Sequence, residues 1–319
     1  MALNWPTPTL LISLLILTGC SGPVLPPAGI GTNLWLGYEP LYLARQLNYF
    51  DEKNIRLVEY SSASQVIRGF RNGLLDVAAL TLDEVLQLKQ LGFDIDVILV
   101  MDISNGSDVI IATPDIQDVQ ALKGKIVGVE NTALGAYLLE RALELNGMTQ
   151  SDIKIVPLEV AEHLQAFINN QVDALVTFDP TRARLLNLGA RVIFDSTSIP
   201  NEIVDVLIVR HDYLEQHHQR IKTLIDDWFR ALAFIDQQPA IAYDMMEQRV
   251  KLSSKEILAA SKGLRFPDRE ENKRLMGTSG NTPLLLEPAN KLAMTLLDKN
   301  LIVGKVEAQN LFSESAAFY

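Results

Sequence analysis

Side chains able to act as nucleophile, base or metal ligand are few in this 319-residue chain, which carries four histidines and one cysteine. His163 falls on a helix-like stretch, and His211, His217 and His218 lie near the start of a long one. None stands at metal-ligand spacing from a partner carboxylate, so all four read as solvated helix faces. The sequence has no Gly-x-Ser-x-Gly elbow and no Gly-x-x-x-x-Gly-Lys phosphate loop. No catalytic constellation, metal site or cofactor is expected, and the chemistry left to the chain is binding. Its clearest candidate is Trp35 to Phe50, which reads as strand, loop and helix. Leu34 and Leu36 close a strand, Gly37 permits a sharp turn and Pro40 suits a first helical turn. Leu41, Ala44 and Leu47 then follow at helical spacing. Tyr38 and Glu39 are thereby set at the carboxyl end of a strand, where open α/β sheets bind ligands.

The elements around that stretch alternate. Strand patterns at 55–60, 77–80 and 95–101 are separated by helical ones after Ser61 to Ser64 and after Thr81, the second with a capping-box spacing from Thr81 to Glu84. Such alternation implies parallel βαβ units. A second series starts after Asn105-Gly106, with strands at 109–112, 126–129, 153–156, 174–177 and 192–194 and helices between them. Ile203 to Val209 reads as a strand returning to the first series. From His211 onward only helices are expected: 213–235, 240–248, 254–262 and 288–298. They can only cover a sheet already built. The expected organisation is α/β with two lobes, each a mainly parallel sheet flanked by helices. Residues 30–106 and 203–319 form lobe 1 and residues 107–202 form lobe 2. Two crossovers join them, and the carboxyl-terminal helices pack on lobe 1.

The composition is 48% hydrophobic and 21% charged, ordinary for a globular chain, and the net charge of −11 with no basic run argues against a nucleic-acid partner. Leu10 to Leu17 is too short an apolar run to span a bilayer and suits a signal-peptide core. Leu17-Thr18-Gly19-Cys20 follows it and is similar to the lipobox of bacterial lipoproteins, although no Lys or Arg precedes the run. The expectation is a signal peptide over 1–19, lipidation at Cys20 and a Pro-rich tether over 20–29.

Four motifs carry a family resemblance from about Asn33 to the end. They are Gly37-Tyr38-x-Pro40-Leu41-Tyr42-Leu43-Ala44, Gly73-x-x-Asp76-Val77-Ala78, Leu122-Lys123-Gly124-Lys125-x-Val127-Gly128-Val129 and Lys262-Gly263-Leu264-Arg265-Phe266-Pro267-Asp268-x-x-Glu271-Asn272. In this order they resemble the substrate-binding proteins of bacterial ABC importers for nitrate, sulfonates, taurine and thiamine pyrimidine precursors. The resemblance implies the type II periplasmic-binding-protein fold, a monomer on the periplasmic face of a membrane, and two partners, a small-molecule solute and an ABC permease. Carried over residue by residue, it implies ligand contacts from Tyr38 and Glu39, Ser62 and Ser64, Asp83, Asn131 and Thr132, and Phe178, Asp179 and Pro180. It also implies lobe closure about Asn105-Gly106 and Ser198 to Asn201, with Tyr38 and Phe178 sandwiching the solute.

The assigned loops offer Glu39, Asp83 and Asp179, no lysine and only Arg182 nearby. Nitrate or sulfonate would call for Arg, Lys or bare helix N-termini. Converging carboxylates call instead for an amine, amidine or aminopyrimidine, or for a zwitterion like taurine. Two alternatives stand beside transport. One is a solute-sensing lipoprotein that reports to a membrane signalling protein. The other is an enzyme similar to the fungal thiamine-pyrimidine synthase, disfavoured because that family's cysteine-rich motif is absent.

Overall fold

The computed structural model describes residues 1, 26–278, 281–312 and 318. The expected signal peptide beyond Met1, Cys20 and the tether up to residue 25 lie outside the described residues. In chain order the first lobe begins with β1 (Ala28–Asn33), α1 (Glu39–Gln46), β2 (Ile55–Tyr60), α2 (Ala63–Arg71), β3 (Val77–Thr81), α3 (Leu82–Gln90) and β4 (Ile95–Ser104). β1 starts at Ala28, two residues inside the stretch expected as tether. The second lobe holds β5 (Val109–Ala112), β6 (Ile126–Val129), α4 (Ala133–Leu145), β7 (Lys154–Pro157), α5 (His163–Ile168), β8 (Ala174–Thr177), α6 (Thr181–Asn187) and β9 (Arg191–Asp195). The chain then returns through β10 (Val204–Arg210) to α7 (His211–Gln237), α8 (Pro239–Val250), α9 (Ser254–Ser261), β11 (Leu264–Arg265), α10 (Arg269–Met276) and α11 (Leu286–Asp298).

Two sheets result, one of six strands in the order β11-β4-β10-β3-β1-β2 and one of five in the order β7-β6-β8-β5-β9. The βα units supply the parallel pairs, β1 with β2 and β3, and β6 with β7 and β8. The strands next to the crossovers enter antiparallel, so each sheet is mixed. Strand alternation divides the core. Along β10, Val206 and Ile208 join the cluster beneath α2, α3 and α11, while Leu207 and Val209 join the one beneath α1, α7, α8 and α9.

The region after His211 is not purely helical. β11 is two residues long and pairs with the end of β4, too short for any periodic signal. α10 buries only Asn272 and Met276, so it lacks the apolar stripe that announces a helix. It is held by Asn272, whose amide group accepts from Val100 N at 2.8 Å and donates to Val100 O at 3.0 Å, standing in for a neighbouring strand.

The crossovers run side by side. Ser104 and Ser196 share a hydroxyl hydrogen bond of 2.8 Å, and Gly106 N donates to Ser196 Oγ at 2.6 Å. A third segment supports them, because Asn105 N donates to Gly263 O at 2.8 Å. The approach is so close that a Cβ on Gly263 would lie 2.5 Å from Ser107 Oγ.

Candidate functional site

Between the lobes lies a cavity lined by Asn33, Trp35, Tyr38, Ala63, Thr81, Glu84 and Asp205 from the first lobe. Asp108, Glu130, Leu134 and Phe178 close it from the second. Its lining among the described residues therefore combines four carboxyl groups with three aromatic rings and contains no Lys, Arg or His. Only about 20 Å³ is open to the centre of a water-sized sphere, room for one or two waters.

Each wall follows from a strand end. β1 runs into the turn at Trp35 to Tyr38, and Tyr38 Oη donates to Asp205 Oδ1 on β10 at 2.5 Å. Trp35 Nε1 donates to Asp102 Oδ2 at 3.2 Å. The Trp35 ring also meets the Phe178 ring edge-on, 5.2 Å between centroids, so an aromatic contact spans the cleft. Ser64 donates from its amide at 3.1 Å and its hydroxyl at 2.8 Å to Glu130 Oε1, and Ser62 Oγ donates to Glu159 Oε2 at 2.5 Å. Both serines belong to the start of α2, so the helix's positive end attracts two carboxylates of the opposite lobe.

Burial dominates the electrostatics. It pushes the Asp205 carboxyl well above the usual range, and the neighbouring Asp102 adds to the shift although the Tyr38 hydroxyl opposes it. Glu84 is likewise raised well up by burial and then by Asp83 and Glu130. Asp108 rises to about 6, burial outweighing its bond with Ser104 and the Arg182 charge. Among the described residues, Glu84 Oε1, Asp108 Oδ2 and Asp205 Oδ2 have no hydrogen-bond partner. Buried acceptors without donors are costly, and a ligand with N–H groups would satisfy them.

The residues expected from the sequence have several fates. Tyr38 and Phe178 line the cavity. Ser62 and Ser64 do not line it but flank the lining residue Ala63, and their hydroxyls donate to Glu159 and Glu130. Glu39 does not line it. Its carboxyl is buried behind α1, 3.0 Å from Arg249 Nη1, and that guanidinium lies over the Tyr42 ring. Burial still raises Glu39 to about 7 against the pull of Arg249. Asp83 is buried beside the cavity without lining it, and the α3 carboxylate that does is Glu84, which closes the capping box with Thr81 N at 3.1 Å. Asn131 is exposed, and Thr132 caps α4 by accepting from Gly135 N. Asp179 pairs with Arg182 at 3.1 Å and accepts from Ala183 N, while Pro180 is buried outside the lining. His163 corrects the reading of the histidines as solvated. It is fully buried, its Nδ1 lies 3.1 Å from Thr177 Oγ1, and burial lowers it to about 4.

Sequence reasoning missed Trp35, Glu84, Asp108, Glu130 and Asp205 as cavity residues. Asp205 did carry a signal, since an acid inside the apolar run Ile203 to Val209 is a charge placed where a side chain should be apolar. Asp108 and Glu130 stand beside crossover and helix-cap residues and had no such contrast. Among the described residues no group of His, Cys, Asp and Glu is arranged to hold a metal ion, and no helix is long and apolar enough to cross a membrane.

Comparison with known proteins places this geometry in a family context. The sequence model of the NMT1-like family matches residues 22–248. A putative aliphatic sulfonates-binding protein of Escherichia coli K12 is 26% identical over 209 residues, 65% of this chain and 63% of the relative, so the match spans just under two thirds of that protein. One of the same name from Bacillus subtilis 168 is 23% identical over 227 residues, 68% of each chain. The solved alkanesulfonate-binding protein SsuA of Xanthomonas axonopodis pv. citri, bound to MOPS, superposes with a TM-score of 0.75 at 17% identity, covering 90% of this chain and 97% of the other. The architecture is thus that of the two-lobed periplasmic binding proteins.

Proposed function

The chain belongs to the NMT1-like family, and we propose that it is the extracytoplasmic solute-binding component of an ABC importer, taking a small solute with an amine, amidine or aminopyrimidine group into the cleft between its lobes. Lobe 1 is then residues 30–106 and 203–319, lobe 2 residues 107–202, and the chain is tethered to the membrane through Cys20. The observation that carries the reading is the composition of the cavity wall: Glu84, Asp108, Glu130 and Asp205 with Trp35, Tyr38 and Phe178, and no cationic side chain. The sulfonates named for the relatives would meet carboxyl groups there. A cation would meet acceptors, and ring faces that attract positive charge.

A thermal-shift panel of alkylamines, amidines, aminopyrimidines, alkanesulfonates and nitrate tests this. A solute at 100 times its dissociation constant adds about 2.7 kcal/mol of stability. At least one nitrogen cation should raise the melting temperature and the simple anions should not. A panel in which only the anions stabilise the protein would end the proposal.

A further inference from the structure

The geometry points to Glu130 as the residue that sets ligand charge: its carboxylate occupies the helix terminus where a solute's acid group would bind, so the cleft selects net cations and rejects aminosulfonate zwitterions. This rests on the solute-binding reading above and narrows it. α2 is nine residues long, and its N-cap residue Ser62 makes no side-chain capping bond within its own helix. The free terminus faces the cleft, the arrangement that ordinarily receives an anionic ligand. Here the amide and hydroxyl of Ser64 both donate to Glu130 Oε1, at 3.1 and 2.8 Å, and Ser62 Oγ donates to Glu159 Oε2.

Neighbouring termini are answered in the same way. Thr81 N at the start of α3 donates to Glu84, and Ala183 N at the start of α6 donates to Asp179. Arg182 donates from Nη1 to Gly106 O at 2.6 Å and pairs through Nη2 with Asp179, while its Nε is buried with no partner among the described residues. Among the described residues, four buried oxygens of the cavity lining have no partner, the carboxyl atoms Glu84 Oε1, Asp108 Oδ2 and Asp205 Oδ2 and the hydroxyl Thr81 Oγ1. The three acidic residues are 1%, 3% and 2% exposed. The wall thus offers carboxyl acceptors for N–H groups, while the Ser62, Ser64, Thr81 N and Ala183 N donors at these helix starts are taken by the protein's own carboxylates.

The test is calorimetry on the full chain with two probes of similar length, taurine and n-propylamine, for the wild type, Glu130→Ala and Glu130→Gln. Freeing the α2 terminus should tighten taurine binding at least 10-fold in Glu130→Ala, with a smaller gain in the same direction in Glu130→Gln, while propylamine gains nothing in either. The glutamine variant, which keeps the Ser64 acceptor, serves should the alanine variant fail to fold. Wild-type protein that already binds taurine more tightly than propylamine, or folded variants with no taurine gain, overturns the assignment. Failure of the parent reading appears separately, as a wild type that no nitrogen cation in the thermal-shift panel stabilises.

Discussion

Replacing Asp205 with asparagine separates a ligand contact from a structural one. Oδ1 of Asp205 accepts from Tyr38 at 2.5 Å, while Oδ2 is buried, partnerless and against the cavity. An asparagine oxygen can still accept from Tyr38, so the framework keeps its internal bond. The free protein meanwhile loses a carboxyl that burial and Asp102 hold well above its ordinary protonation range. Its stability should stay within about 1 kcal/mol of the wild type or rise, because buried ionisable groups without partners are a cost. Binding should move the other way. A hydrogen bond to a charged group contributes about 1.5–3 kcal/mol, so the amine that best stabilises the wild type should bind roughly 10- to 150-fold more weakly. Denaturant unfolding without ligand and calorimetry with that amine measure the two quantities. A variant that is destabilised by more than about 1 kcal/mol while binding is unchanged would refute the reasoning, since Asp205 would then be a structural residue.

Other outcomes follow from the same chemistry. Carboxyls whose pKa is raised by folding give stability that is fully present below their unfolded pKa near 4 and lost as pH rises through the folded value, about 6 for Asp108 and about 7 for Asp83 and Glu39. His163, lowered to about 4, acts oppositely, its contribution being lost as pH falls from its ordinary value near 6.5. The ligand-free protein should therefore melt higher at pH 6.5 than at pH 8 in matched buffers, and a lower melting point at pH 6.5 would contradict the burial argument. Asn272→Ala leaves Val100 N and O without their buried partner, and should cost about 2–3 kcal/mol in denaturant unfolding; a loss below about 0.5 kcal/mol would mean that α10 is held by other contacts. Mature protein from its native host should carry diacylglycerol on Cys20 by mass spectrometry, and an unmodified thiol there would exclude the anchor.

The fold was legible where the physics is local. Strand and helix periods alternate from residue 55 to 194, the Thr81 to Glu84 spacing is a capping box in the structure, and Pro40 falls in the first turn of α1. What escaped depends on contacts between distant residues. β11 exists because Gly263 lets the chain lie against the crossover at Ser107, and α10 because one amide pairs with Val100. The same divide runs through the site. Phe178 was visible at a strand end and Tyr38 in the loop stretch, although β1 stops at Asn33 and Leu36–Tyr38 is a 3-10 turn, not the strand end expected. An acidic side chain in a loop looks alike whether it faces water or pairs, as Glu39 does, with Arg249 from a helix 210 positions later. Glu84 and Asp83 are adjacent, and only the turn of α3 decides that the former reaches the cavity.

The cleft is read here as buried carboxyls, raised by desolvation, that receive a cation. Calorimetric titration at pH 7 in two buffers of different ionisation enthalpy tests that reading most directly, using whichever compound in the panel stabilises the wild type most. That compound should be a nitrogen cation, and its binding should release protons as Glu84 or Asp205, both raised well above the usual carboxylate range by burial, ionises against the positive charge. Tightest binding of a sulfonate or nitrate, accompanied by proton uptake, would contradict it.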